Sequence, residues 1–135
     1  MTKKLPPATD WQARDIGDWN TTTFTEYLKH KHREQFGIEY VPFGGRWATE
    51  QGMIGRLIGT RVKKGTHSKT AVKRFIDESF ETYIPTADYP GTSFGFNYSY
   101  RRHLLQQAEA EERTRRRLKK AKEESPSLSE LSDWL

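Results

Sequence analysis

No cysteine occurs anywhere in the 135 residues, which excludes disulfides, thiolate metal sites and a cysteine nucleophile. Apolar residues are also scarce, at 33% before glycine is added, against roughly 45–50% in an average globular domain. Such a chain buries one modest core and leaves part of its length outside it. No run approaches the ~18 apolar residues that span a bilayer. The polar first ten residues hold two prolines and lack the apolar centre of a signal peptide. These absences lead to the expectation of a cytoplasmic protein without a membrane partner.

The signatures of catalysis are missing too. There is no HExxH, no GxxxxGK[ST], no GxSxG and no dinucleotide-binding glycine fingerprint. His30, His32, His67 and His103 are scattered, and His30 and His32, two apart, point to different sides of a helix and make a poor metal pair. Asp15, Asp18, Asp77 and Glu78 show no catalytic spacing. The expectation is a protein that is not an enzyme and carries neither metal nor cofactor.

What is plentiful is ring and charge. Four Trp, six Tyr and seven Phe give a small core more buried area per residue. The net charge is +5, and its distribution is uneven. Residues 56–74 hold seven Lys or Arg and no acid; residues 101–122 hold nine against three Glu; residues 123–135 hold four acids and no base. A basic body with an acidic end implies an anionic partner for the first two stretches and another partner for the last.

The periodicity predicts helices. Residues 1–10 read as a disordered lead, with Trp11, Ile16 and Trp19 as apolar points lying against the domain. A first helix is capped by Asn20 or one of Thr21, Thr22 and Thr23, with Glu26 at capping-box spacing, and ends at Gly37. Residues 38–43 (IEYVPF) read as a short extended or β-like piece, where Pro42 argues against a central strand. A second helix is drawn over residues 46–60; its Gly52, Gly55 and Gly59 either permit a close helix contact or mark a shorter helix. Ser68 caps a third helix to about residue 83, and its series Ala71, Val72, Phe75, Ile76, Phe80 and Tyr83 is the most regular in the chain. Thr92 or Ser93 then opens a fourth helix expected to run on to residue 124. Within it Phe94, Phe96, Tyr98 and Tyr100 alternate as in a strand, but the adjoining helix-forming residues favour helix. The resulting fold class is all-α: a compact helical domain over residues 11–108, with helix-turn-helix or winged-helix-like packing as one possibility, a basic helical extension over 109–124 and an acidic amphipathic tail over 125–135.

Four features are candidates for function. Arg56, Arg61, Lys63, Lys64, Lys69, Lys73 and Arg74 surround the junction of two predicted helices, where the helix start at Ser68 adds N–H groups and dipole favourable to phosphate; a solvated loop or an acidic protein partner are the other readings. Arg113, Arg115, Arg116, Arg117, Lys119, Lys120 and Lys122 cover nearly every side of a helix, an arm able to follow phosphates without reading sequence, or a solvated helix balanced by Glu109, Glu111 and Glu112. Tyr89, Phe94, Phe96, Tyr98 and Tyr100 precede Arg101 and Arg102. Rings beside arginines stack on single-stranded nucleic acid, though core is the favoured reading and Tyr98 and Tyr100 are the candidates for stacking. Finally, Leu128, Leu131, Trp134 and Leu135 form one face of a short acidic helix, either docked on its own domain or inserted into a partner's groove.

The run over residues 19–105, with AVKRFIDESFETY followed by YPGTSFGFNYSY, resembles small accessory and helicase-loader-like proteins of phage replication regions. The resemblance implies an α-helical adaptor that binds DNA and recruits a replication protein, in the host cytoplasm; without an ATPase motif, an AAA+-type loader is excluded. It transfers no site residues. The composite expectation is a non-enzymatic nucleic-acid-binding accessory protein of phage DNA replication. An inhibitor or assembly adaptor acting on proteins, or a structural component of a larger particle, are the rival classes.

Overall fold

The computed structural model describes residues 4–124; Leu128, Leu131, Trp134 and Leu135 of the predicted tail lie outside them. The described chain is all-helical: α1 (Thr21–Phe36), α2 (Trp47–Ile58), α3 (Lys69–Thr82), α4 (Phe94–Tyr100) and α5 (His103–Glu124), with short 3-10 turns at Ile16–Asp18 and Phe43–Gly45.

Local chemistry sets the helix ends. Asn20 caps α1: its side-chain oxygen accepts from the Thr23 N–H at 3.0 Å while the Thr23 hydroxyl accepts from the Asn20 N–H at 3.2 Å. Both N–H groups would otherwise lack a partner. Gly37 stops the helix in the left-handed region at φ 71°, which costs a glycine little. Ser68 caps α3 by accepting from the Ala71 N–H at 3.0 Å, and Ser93 caps α4 through the Phe96 N–H at 3.1 Å.

α3 is the central element. Its Val72, Phe75, Ile76 and Phe80 are fully buried, at the spacing of one helical face. They meet Phe24 and Leu28 of α1, Ile54 and Leu57 of α2, Phe94 of α4 and Leu104 and Leu105 of α5 in one core. Trp19 closes one side, with Trp11 packed edge-on to it at 6.1 Å and to Tyr27 at 4.9 Å. The rings thus supply much of what the scarce aliphatics cannot.

Two readings left open are decided and one expectation is corrected. Residues 38–43 form no strand; Tyr40 turns inward, Pro42 leads into the 3-10 turn, and no strand exists among the described residues, only an isolated bridge between Gly59 and Lys64. α2 is shorter than drawn because Gly59 leaves the helix at φ 93°. The long fourth helix is two helices. Arg101 takes φ −130°, ψ 37°, and its guanidinium donates to Ser79 O (3.1 Å), Asn97 Oδ1 (3.2 Å) and Thr82 Oγ1 (2.5 Å), fastening the corner to α3. The connection between α2 and α3 is ten residues long, not the turn of about three or four that defines a helix-turn-helix, and no winged β-hairpin accompanies it among the described residues.

Candidate nucleic-acid interface

The basic loop between α2 and α3 is closed by backbone. The Thr60 N–H donates to Lys63 O and the His67 N–H to Leu57 O, each at 2.8 Å. Gly65 packs so tightly on the end of α2 that a Cβ there would lie 2.3 Å from the Ile58 carbonyl carbon. Only glycine admits this closure, and it leaves Arg61, Val62, Lys63 and Lys64 exposed at the tip. The foot of the loop is tied to α5: His67 Nε2 lies 3.3 Å from a Glu109 oxygen, and the Ser68 hydroxyl donates to Glu112.

These ties, with Arg101 on Ser79 and Thr82 at the other end, set α5 antiparallel to α3. Twelve residues of α5 follow Glu112, so the helix overhangs the start of α3 by about 18 Å at ~1.5 Å per residue. The loop and the overhang therefore lie at the same end of the domain. Arg61, Lys63 and Lys64 on the loop, and Arg115, Arg117 and Lys119 on the overhang, have side chains that make no hydrogen bond or ion pair among the described residues. Each is exposed.

The remaining predicted cations, exposed Lys122 apart, are occupied. Lys73 pairs with Asp77 at 3.1 Å, Arg74 with Glu78 at 2.7 Å and Glu111 at 3.3 Å, Arg113 with Glu109 at 3.3 Å and Arg116 with Glu112 at 2.8 Å. Lys69 donates to the Gly17 carbonyl at 2.8 Å and Arg56 to the Gly52 carbonyl at 3.3 Å. Lys120 also has a partner. Arg101 and Arg102 lie at the opposite end, Arg101 in the α4–α5 corner and Arg102 over the Tyr98 ring at 4.2 Å. That contact, and the stacking of Tyr98 on Phe94 at 6.1 Å, occupy the Tyr98 ring. Phe94 is core, while Tyr100 is 70% exposed.

The domain also holds two polar groups whose importance no motif announces. Glu50, fully buried, accepts from Tyr40 Oη at 2.5 Å, the Phe43 N–H at 3.0 Å and the Gly95 N–H at 2.8 Å; Tyr40 Oη in turn accepts from the Phe94 N–H at 2.9 Å. One carboxylate thereby joins α2, the 3-10 turn and the start of α4. Burial, then the charge of Glu50, raises the Tyr40 phenol well above its ordinary range. His32, 2% exposed, donates from Nδ1 to the Ile38 carbonyl at 3.1 Å, since a carbonyl only accepts. Burial holds its pKa below the ordinary histidine value. Tyr27, bonded to Asp77, is likewise raised, chiefly by burial.

Among the described residues no three His, Asp or Glu side chains group as metal ligands, and no helix is long and apolar enough to cross a membrane. No family model matches the chain, and no curated protein or solved structure matches it.

Proposed function

We propose that the protein is a non-enzymatic accessory factor that binds nucleic acid, DNA in the first instance, through the loop and overhang, and recruits a protein partner through Leu128, Leu131, Trp134 and Leu135. The observation that carries the nucleic-acid reading is the convergence of two sequence-distant sets of unpaired cations, Arg61, Lys63 and Lys64 with Arg115, Arg117 and Lys119, on one end of the domain. Unpaired cations release phosphate counterions on binding without first breaking an internal ion pair. A glycine-closed loop beside a rigid helix suits backbone contact more than base reading. A setting in phage DNA replication follows from the resemblance of residues 19–105.

The test is fluorescence anisotropy with labelled single- and double-stranded DNA and RNA at about 50 and 200 mM salt, with log affinity expected to fall by roughly 0.9 per phosphate contacted for each unit of log salt on duplex DNA. A variant with these six cations changed to Ala should lose that binding and keep its circular dichroism. A folded wild type that binds nothing at low salt, or a variant that binds as well as wild type, overturns the reading.

A further inference from the structure

The end of the domain away from the basic loop carries a groove of about 660 Å³ between residues 38–44 and the segment that leads into α4. Its apolar walls include Val41, Phe43, Tyr89 and Phe96, and Val41 and Tyr89 are 66% and 71% exposed. His32 reaches the groove from α1. With Nδ1 donating to Ile38, the lone pair of Nε2 has no partner among the described residues, although the side chain is otherwise buried. The ring edge bearing Nε2 lies against Gly91, where a Cβ would come within 2.4 Å of that nitrogen. Gly91 thus keeps open a wall that a side chain would close.

Charge identifies the occupant. The two acids that line the groove, Glu39 and Asp88, are exposed and hold no cation among the described residues. Glu26, Asp77, Glu81, Glu109 and Glu112 each pair with a lysine or arginine. In a chain of net charge +5, this rim is a local negative site, and it repels phosphate. The chain's own end is also unsuited. Residues 123–135 carry acids and no base, and α5 leads away from this end of α3.

We infer that the groove docks an extended peptide segment of another protein in which an apolar side chain is flanked by lysine or arginine. The apolar residue fills the space between Val41, Tyr89 and Phe96, the cations meet Glu39 and Asp88, and a peptide N–H donates to His32 Nε2. Such a segment would be bound at the end remote from nucleic acid, so the two sites act independently.

The experiment titrates the full 15N-labelled chain with two synthetic amidated peptides, GRWRLG and GEWELG. The basic peptide should shift the amides of Val41, Gly91 and Phe96 and the His32 ring, and bind about five- to tenfold more tightly than its acidic counterpart. The double variant Glu39→Lys/Asp88→Lys, at exposed positions that leave the fold intact, should reverse that preference. Val41→Asn should weaken both peptides and leave the preference between them unchanged. Equal response to the two peptides, shifts centred on the basic loop or α5, no response at the groove, or an unchanged preference in the double variant overturns the inference.

Discussion

The two ends of α3 are built differently. At its start, cations project from a loop closed by backbone hydrogen bonds and from a helix that has left the core, and no packing depends on them. At its end, a carboxylate, an imidazole and a set of rings are buried, and the helices meet through them. The same class of side chain therefore carries different work at each end: solvated charge that leaves the fold indifferent, and desolvated polarity on which the fold depends. Substitutions at the first end should alter binding alone, and those at the second should alter stability.

The largest effect is expected at Glu50. Glu50→Ala leaves the buried Tyr40 hydroxyl and the Phe43 and Gly95 N–H groups without their acceptor. At about 1–3 kcal/mol for each unsatisfied group, discounted for relaxation, the loss should be about 3–5 kcal/mol by urea denaturation. A loss below about 1 kcal/mol would mean that the carboxylate is not a joint of the fold. Next is Gly91→Ala, whose Cβ meets His32 Nε2; it should cost about 1–3 kcal/mol. The cost should shrink in the background of His32→Ala, and strict additivity of the two changes would place the clash elsewhere.

A smaller effect concerns pH. The pKa of His32 is lowered in the folded state, so the unfolded chain takes up that proton first. Its contribution is fully present above the ordinary value of about 6.5 and is lost as pH falls below it. Denaturation midpoints measured from about pH 7 to pH 5 should decline more steeply in wild type than in His32→Gln; parallel curves would contradict this. The smallest effect is at the basic end. Arg117→Ala and Lys119→Ala should change stability by no more than about 0.5 kcal/mol. Arg74→Ala, which removes two largely exposed ion pairs, should cost about 0.5–1 kcal/mol.

The parts of the fold written in short-range pattern were readable in advance: the Ser68 cap, the Gly37 stop and the buried face of α3; the α1 cap was readable only as Asn20 or a following threonine, and its box closes with Thr23 and not with Glu26. The two basic runs stood in the sequence as well, but neither their meeting at one end of the domain nor which of their cations are paired did. Long-range chemistry was not readable. Nothing near Arg101 in sequence says that Ser79 and Thr82 will hold it and break the helix there. Glu50 and His32 did leave a trace. Glu50 occupies the same helical face as Trp47, Ile54 and Leu57, and His32 continues the four-residue spacing of Phe24 and Leu28 toward Phe36. A polar residue set into an apolar face marks a buried joint or a wall of a site, and these two are such residues. Charge runs also hid a distinction that spacing resolves only in part: Arg113 and Arg116 follow Glu109 and Glu112 by four residues and are paired, and Arg117 has Arg113 in that place, but Arg115 follows Glu111 by four and makes no ion pair among the described residues, because Glu111 meets Arg74 across the helices.

The corner at Arg101 has a kinetic consequence. From residue 96 to residue 124 the chain contains neither glycine nor proline, so helix propagation alone would carry α4 straight into α5. The corner exists only once α3 is present to receive the guanidinium on Ser79 and Thr82. During folding, the last 31 residues of the described helices, residues 94–124, can grow as one rod, and the docking of Arg101 is the event that divides it. That event also decides whether α4 turns back to reach the Glu50 carboxylate or continues outward. The groove, whose Phe96 belongs to α4, and the overhang of α5 thereby hang on the same corner.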